Sequence, residues 1–373
     1  MMLNVILRRI TWVFALALSV TTSADSSKMK IESSPFGTTA DGREVTRYTL
    51  INSHGHNVSV MNWGATLLEV NVPDRQGRLA NVNLSFDSLP PYLQKHPYFG
   101  STVGRFCNRI GEGKFSIDGK DFQVTTNSGK HHIHGGNVNF THQFWEGDSY
   151  QNSDAVGVRF SLTSPDGQEG FPGTVNAAAD YRWNDQNELT ITFTATTDAP
   201  THVNLTNHSY WNLGGAGSGT ALNHVATILA DQYLDVDGDL IPTGKLNDVG
   251  GTALDFRHPT KLGDRIEQLA ATKGYDHCFV VRGQAGTLRD AATVTDPDSG
   301  RVLEIETTQP GMQLYTGNHL AGDDRSAGHG GHEAFCLETQ HYPNAPNRDS
   351  FPSTLLRPGE KLQEVTVHRF RVR

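Results

Sequence analysis

The stretch Leu189-Thr190-Ile191-Thr192-Phe193-Thr194-Ala195 alternates apolar and polar side chains without interruption. Successive side chains of a β-strand point to opposite faces of a sheet, so this pattern is typical of a strand with one buried face. Residues 156–162 and residues 82–86 show the same alternation. Clusters of Gly, Pro, Asn and Asp separate such runs, which favours short strands joined by turns.

Helical periodicity is scarce along the chain, and residues 89–94 and 263–269 are the segments that fit short helices. The 373 residues include 38 glycines and 16 prolines, a composition that suits many turns. No repeat of fixed period and no low-complexity linker interrupts residues 32–373. The sequence therefore predicts an all-β protein, built as one large antiparallel β-sandwich.

The N-terminus has the three parts of a secretory signal peptide. Arg8 and Arg9 supply positive charge, residues 10–20 are apolar, and Thr22-Ser23-Ala24 offers small residues for cleavage. The apolar run is shorter than the roughly 20 residues that span a bilayer, although an uncleaved anchor is the alternative. We expect residues 1–24 to be a signal peptide, residues 25–373 to form a single domain, and the mature protein to be periplasmic or secreted without stable membrane insertion.

The charge balance argues against a nucleic-acid partner. The chain has 40 acidic and 31 basic residues, whereas phosphate binding needs a basic face. The three cysteines, Cys107, Cys278 and Cys336, each lie in an apolar or strand-like context. We expect them to act as small buried apolar side chains, although export would permit one disulfide.

Metal sites are not predicted. Residues 235–239 resemble the start of a calcium loop, but leucines stand at the sixth and twelfth positions, where such a loop needs Gly and Glu. His131, His132 and His134 lie close together in sequence, but no second cluster completes a zinc site. We therefore expect neither a metal nor a cofactor.

Two strand-like segments each place polar residues on one face. In residues 203–210, His208 and Tyr210 share the face opposite the apolar side chains, and in residues 335–340 Glu338 lies on the polar face. A histidine and a carboxylate that meet across a ligand can give a proton at one end and remove one at the other. The sequence thus predicts a general acid–base pair, His208 and Glu338.

Six polar signatures follow one another along the chain. They are Gly104-Arg105-Phe106-Cys107-Asn108-Arg109-Ile110, His134-Gly135-Gly136, residues 206–213, Gly274-Tyr275-Asp276-His277, Gln309-Pro310-Gly311-Met312-Gln313 and Leu337-Glu338-Thr339-Gln340. In this order they resemble the aldose 1-epimerase (galactose mutarotase) family, and the resemblance runs from about Phe36 to the end. One departure is His131-His132-Ile133, where relatives usually have Asn-x-Leu.

The resemblance implies a galactose mutarotase-like sandwich that interconverts the α and β anomers of free aldohexoses such as glucose and galactose, without a cofactor. It implies that His208 is the proton donor and Glu338 the base. The implied substrate-binding residues are Asn108, Arg109, His134, Tyr210, Asp276 and Gln313, with Arg105 beside them. We expect a monosaccharide as the partner and a monomeric protein.

The residues suit this chemistry, because a cyclic aldose opens when its C1 hydroxyl loses a proton and its ring oxygen gains one. Glu338 would take the first proton and a protonated His208 would give the second, so a bell-shaped pH profile would have Glu338 on its acid limb.

Three alternatives remain open. A non-catalytic carbohydrate-binding sandwich would need neither proton carrier. An epimerase of hexose phosphates would need basic residues at the distal end of the sugar. A glycosidase would need two carboxylates at the scissile bond.

Overall fold

The computed structural model describes residues 28–373, so the expected signal peptide lies outside the described residues. Within that part, no helix is long and apolar enough to cross a membrane.

Strands dominate the described chain. In chain order they are β1 (Lys30–Thr38), β2 (Glu44–Ile51), β3 (Asn57–Met61), β4 (Thr66–Pro73), β5 (Leu79–Asn81), β6 (Thr102–Val103), β7 (Arg109–Ile110), β8 (Lys114–Ile117), β9 (Lys120–Gln123), β10 (His132–Ile133), β11 (Glu146–Gln151), β12 (Val156–Ser164), β13 (Val175–Trp183), β14 (Glu188–Thr197), β15 (Thr201–His202), β16 (Thr206–Asn207), β17 (Val225–Ile228), β18 (Gln232–Val236), β19 (Pro242–Asp248), β20 (Thr260–Lys261), β21 (Asp276–Val280), β22 (Arg289–Thr295), β23 (Arg301–Thr307), β24 (Gly311–Tyr315), β25 (Cys336–Gln340), β26 (Leu355–Leu356) and β27 (Leu362–Val372).

The helical elements are short. They are the α-helix α1 (Leu89–Tyr92) and 3-10 turns at Gly111–Gly113, Phe140–His142, Gln168–Gly170, Ile266–Leu269, Asp324–Ser326 and Ala345–Asn347. Both segments in which the sequence indicates short helices contain one of these elements, α1 and the turn Ile266–Leu269.

Three antiparallel sheets build the architecture. The largest has nine strands in the order β11-β12-β13-β14-β27-β23-β22-β17-β20. The first smaller sheet has the order β1-β2-β3-β4-β5, and the second has β19-β18-β21-β24-β25. One hydrophobic cluster includes Val60 from the first smaller sheet, Ile191 and Phe193 from the large sheet, and Met312 and Leu337 from the second. Apolar faces packed on one core make this an all-β sandwich, as predicted.

The alternating run that predicts a strand at residues 189–195 lies within β14, and its apolar members are buried. Residues 156–162 lie within β12 in the same way. Residues 82–86 are different, because Asn83 makes an isolated bridge to Trp211 in place of a regular strand. The Val82 amide donates to Val70 of β4 and the Leu84 amide to Tyr210, while the Phe86 amide donates to the Tyr92 hydroxyl, so a continuous ladder does not form.

The second smaller sheet places three polar side chains on one face. Gln313 on β24 lies opposite Glu338 on β25 and opposite Cys278 on β21. Asp276 lies two residues before Cys278, and alternate residues of a strand share a face. Asp276, Gln313 and Glu338 therefore project to the same side, which confirms the predicted face of Glu338.

His208 lies just after the short strand β16 and is held by its backbone. Its amide donates to the Ser101 carbonyl and its own carbonyl accepts from the Gly100 amide, both at 3.0 Å. Gly100 has a φ of +62°, and a Cβ atom there would lie 1.8 Å from the Leu67 carbonyl oxygen. A glycine at this position therefore allows β4 and the His208 segment to approach each other.

Gly100→Ala should destabilise the protein by about 3 kcal/mol, because the methyl group meets rigid backbone in a left-handed conformation. Gly77→Ala is the matched control, since Gly77 has a similar φ of +78° but its added methyl group would meet no other residue within 4 Å. It should cost only about 1 kcal/mol. Urea unfolding measures both, and equal losses would show that contact with Leu67 is not the cause.

Candidate active site

A cavity of ≈ 510 Å³ opens beside the polar face of the second smaller sheet. The predicted site residues that line it are Asn108, Arg109, His134, His208, Tyr210, Asp276 and Glu338. Segments that are far apart in sequence thus bring polar groups together on one concave, mostly apolar surface. Such a surface is the usual form of a small-molecule site.

His208 and Glu338 form a buried pair in this surface. His208 Nε2 lies 3.7 Å from Glu338 Oε2, and the two side chains are 6% and 3% exposed. Glu338 Oε2 is buried and has no hydrogen-bond partner among the described residues. An unpaired buried carboxylate oxygen is costly to a fold, which indicates that a ligand or a proton completes it.

Burial shifts the two pKa values in opposite directions. It raises the pKa of Glu338 to about 8, helped by the negative charge of Asp276 and opposed by Arg109. It lowers the pKa of His208 to about 4, and the charge of Asp276 opposes this only in part. In the free protein the pair therefore holds one titratable proton near neutral pH, and burial favours the neutral form of both groups. Burial thus works against the protonated His208 that the sequence leads us to expect, and a bound ligand has to offset it.

Three neighbours orient the His208 ring. The rings of Tyr98 and Tyr210 lie nearly parallel to it, with centroids 5.7 Å and 5.0 Å away. The Cys336 sulfur lies 3.6 Å from Nδ1. These contacts direct Nε2 towards Glu338. The sequence does not predict the role of Tyr98, because an aromatic residue outside an alternating run gives no sign of which ring it will contact.

His134 is held as a neutral hydrogen-bond donor. The Asn108 amide donates to His134 Nδ1 at 3.1 Å, and the His134 amide donates to the Asn108 carbonyl at 3.0 Å. Because Nδ1 accepts, the single proton of the neutral ring lies on Nε2. Burial lowers the pKa of His134 well below its usual range. Both residues have positive φ, +56° and +50°, a strained backbone that this reciprocal pair maintains.

Asp276 is fixed by two partners. Gln313 Nε2 donates to Oδ1 at 2.6 Å, and Arg109 Nη2 lies 3.5 Å from Oδ2. Gln313 thus stands behind Asp276 and outside the cavity wall. Arg109 also donates to the Asn108 side-chain oxygen at 3.3 Å. Arg109 and Asp276 therefore contribute a paired cation and a paired anion to the wall.

Arg105 has a different role from the one expected. Its guanidinium is buried and donates to the carbonyls of Pro172 and Gly173 and to the Ser164 hydroxyl. It is not part of the cavity wall. Its contacts tie its own segment to the end of β12 and to the connection between β12 and β13, so Arg105 supports the fold.

The histidine cluster considered as a metal site, and the three cysteines, have ordinary structural roles. His131 Nε2 lies 3.2 Å from Asp239, while His132 Nδ1 lies 2.7 Å from the Thr125 carbonyl. Within residues 28–373, no group of three His, Cys, Asp or Glu side chains could hold a metal. The three cysteines are free and buried, as expected.

An all-β sandwich with a buried histidine–carboxylate pair in the wall of an open cavity has the geometry that an enzyme of acid–base chemistry requires. The family described as Aldose 1-epimerase matches residues 46–369. The chain is 45% identical to a galactose mutarotase of Bos taurus over 84% of this chain and 91% of that protein. It is 35% identical to an aldose 1-epimerase of Escherichia coli (strain K12), over 88% of this chain and 96% of that protein.

A solved structure agrees. The galactose 1-epimerase from Lactobacillus acidophilus NCFM superposes with a TM-score of 0.83 at 28% identity, covering 92% of this chain and 99% of that one. The chain therefore belongs to the aldose 1-epimerase family, a family of isomerases. The resemblance of the six sequence signatures is confirmed.

Proposed function

We propose that this aldose 1-epimerase interconverts the α and β anomers of free aldohexoses such as glucose and galactose, with His208 and Glu338 as its proton carriers. The observation that carries the proposal is the buried pair, 3.7 Å apart at the end of an open polar cavity. Mutarotation needs one proton removed and one delivered at neighbouring oxygens of one hemiacetal. A pair that holds a single proton can do both.

Substrate binding would move the proton of the pair to His208. The C1 hydroxyl donates to the Glu338 carboxylate, and the sugar ring oxygen accepts from His208 Nε2, so both charged forms gain a hydrogen bond. Asp276 raises the pKa of His208 and so favours its charged form, while Arg109 opposes the effect by which Asp276 keeps Glu338 protonated. Glu338 then takes the C1 hydroxyl proton while His208 protonates the ring oxygen. The open aldehyde turns about its C1–C2 bond and recloses with the two roles exchanged.

The remaining wall residues suit neutral hydroxyl groups. His134 offers an Nε2–H donor, Arg109 offers donors, and Asp276 offers an acceptor. Asn108 and Gln313 support them by orienting His134, Arg109 and Asp276. Tyr210 belongs to the same wall and stacks on His208.

Two rival functions are less well supported. Lys95 and Arg325 line the cavity and would attract a hexose phosphate, but Arg325 is paired with Asp323 at 2.6 Å and is largely exposed. A non-catalytic sugar-binding module would have no use for Glu338, whose raised pKa and unpaired oxygen are typical of a catalytic group.

Glu338→Gln and His208→Asn should each lower kcat for mutarotation about a hundredfold or more, because each removes a proton carrier but keeps a polar side chain. The KM values for glucose and galactose should change much less, since the other wall residues still hold the sugar. Polarimetry of freshly dissolved α-anomers measures both constants. Asp276→Ala is the comparison, and it should weaken binding as well as rate. Near-normal turnover in both carrier variants would favour the sugar-binding module.

The kcat/KM of the wild-type protein should follow a bell in pH, with limbs near the pKa values of about 4 and about 8. Below the lower value both groups carry protons and no base remains. Above the higher value Glu338 loses its proton and the pair has none to donate. The residual activity of Glu338→Gln should lack the alkaline limb, and that of His208→Asn the acid limb. If Glu338→Gln instead lacked the acid limb and His208→Asn the alkaline limb, the lower pKa would belong to Glu338 and the higher pKa to His208.

We also propose that the protein is exported, that residues 25–373 form one domain and that it acts as a monomer. The support for export is the three-part N-terminus, with its paired arginines and apolar run. N-terminal sequencing of exported protein should find a start near Asp25. A start at Met1 or Met2 would count against cleavage.

A further inference from the structure

His96 is a buried polar residue that neither the fold nor the proposed reaction uses. Its ring forms part of the cavity wall, yet the residue is only 6% exposed. Neither Nδ1 nor Nε2 has a hydrogen-bond partner among residues 28–373. Leaving a buried donor and acceptor unpaired destabilises a fold, and the few such groups in native proteins usually have a functional cause.

The surroundings of His96 are aromatic. Its ring packs edge-to-face against the rings of Phe86 and Tyr92, with centroid distances of 5.9 Å and 5.3 Å. The centroid of the His142 ring lies 5.4 Å away. Burial, with the nearby His142 and His208, lowers the pKa of His96 to about 3, so the ring is neutral. A neutral imidazole offers one donor and one acceptor, the same combination that a hydroxyl group offers in return.

His96 and His208 share Tyr98 as a neighbour in the cavity wall. Tyr98 lies two residues after His96, and its ring centroid is 6.3 Å from that of His96 and 5.7 Å from that of His208. No hydrogen bond within residues 28–373 holds either buried nitrogen in place, so a rotation of the ring that brings a nitrogen to the cavity breaks no hydrogen bond.

We propose that His96 is a sugar-binding residue that exchanges hydrogen bonds with a hydroxyl group remote from C1, and that it selects for aldoses carrying that hydroxyl. This inference rests on the proposed function, because C1 is assigned to the end of the cavity at His208 and Glu338. The bound hydroxyl satisfies the imidazole, which the free protein leaves unpaired. The unpaired imidazole costs the free protein stability, and the same imidazole gives the protein affinity for a sugar that carries the matching hydroxyl group.

The experiment compares the wild type with His96→Phe on glucose and on its 2-, 3-, 4- and 6-deoxy analogues. His96→Phe should raise the KM for glucose about tenfold and leave kcat within about twofold. For one analogue, the one without the hydroxyl that His96 binds, the substitution should leave KM unchanged. The midpoint of thermal unfolding should rise, because phenylalanine packs against Phe86 and Tyr92 without an unpaired nitrogen.

The second variant, His96→Asn, retains a donor and an acceptor, so it should keep more affinity for glucose than His96→Phe does. The proposal is overturned if His96→Phe leaves the KM for glucose unchanged, or raises KM equally for glucose and every analogue. It is also overturned if the variant is less stable with unaltered KM, which would make His96 a packing residue. Calorimetric binding of the same sugars separates this proposal from the proposed function, since binding selectivity at His96 is measurable even if the wild type proves not to catalyse mutarotation.

Discussion

The burial of Glu338 against His208 is the constraint on which the site depends. Removing a carboxylate and an imidazolium from water disfavours both charges, so the pair retains one proton over a wide range of pH. A surface pair would lack this property, because solvent would keep each group at its ordinary pKa. Asp276 and Arg109 then act on the buried pair in opposite senses. Asp276 stabilises a charged His208 but also a protonated Glu338, while Arg109 opposes only the effect on Glu338, so the hydrogen bonds of the sugar have to stabilise the charge-separated form.

The fold meets this constraint in two ways. A regular sheet holds Glu338, Gln313 and Asp276, whose relative positions follow from strand register. The histidines come instead from irregular chain, where Gly100 and the reciprocal Asn108–His134 hydrogen bonds maintain positive φ values. The sheet supplies the base and the loops bring the donors to it. Strain in the loops is tolerated because the large hydrophobic core joins all three sheets.

Local pattern predicts only part of this arrangement. Alternation in residues 189–195 is enough to predict a half-buried strand, and alternation in residues 335–340 is enough to place Glu338 on the polar face. The role of Arg105 could not be predicted, because its partners lie about sixty residues or more further along the chain. The same limit applies to His96, whose missing hydrogen bonds are visible only once its neighbours are placed. The protonation state of the pair also depends on burial, which the local sequence pattern does not determine.

The neutrality of the cavity histidines explains the kind of ligand that the cavity suits. Burial keeps His96, His134 and His208 uncharged in the free protein, and the wall charges of Arg109 and Asp276 offset each other. A phosphate group would find no unpaired buried cation among the described wall residues, and its desolvation would be poorly compensated. A sugar hydroxyl group is uncharged and can both donate and accept a hydrogen bond. A neutral imidazole also has one donor and one acceptor, so the two groups are complementary. The desolvation that makes the His208–Glu338 pair share one proton therefore also matches the cavity to an uncharged polyol, so catalysis and ligand selection follow from one physical cause.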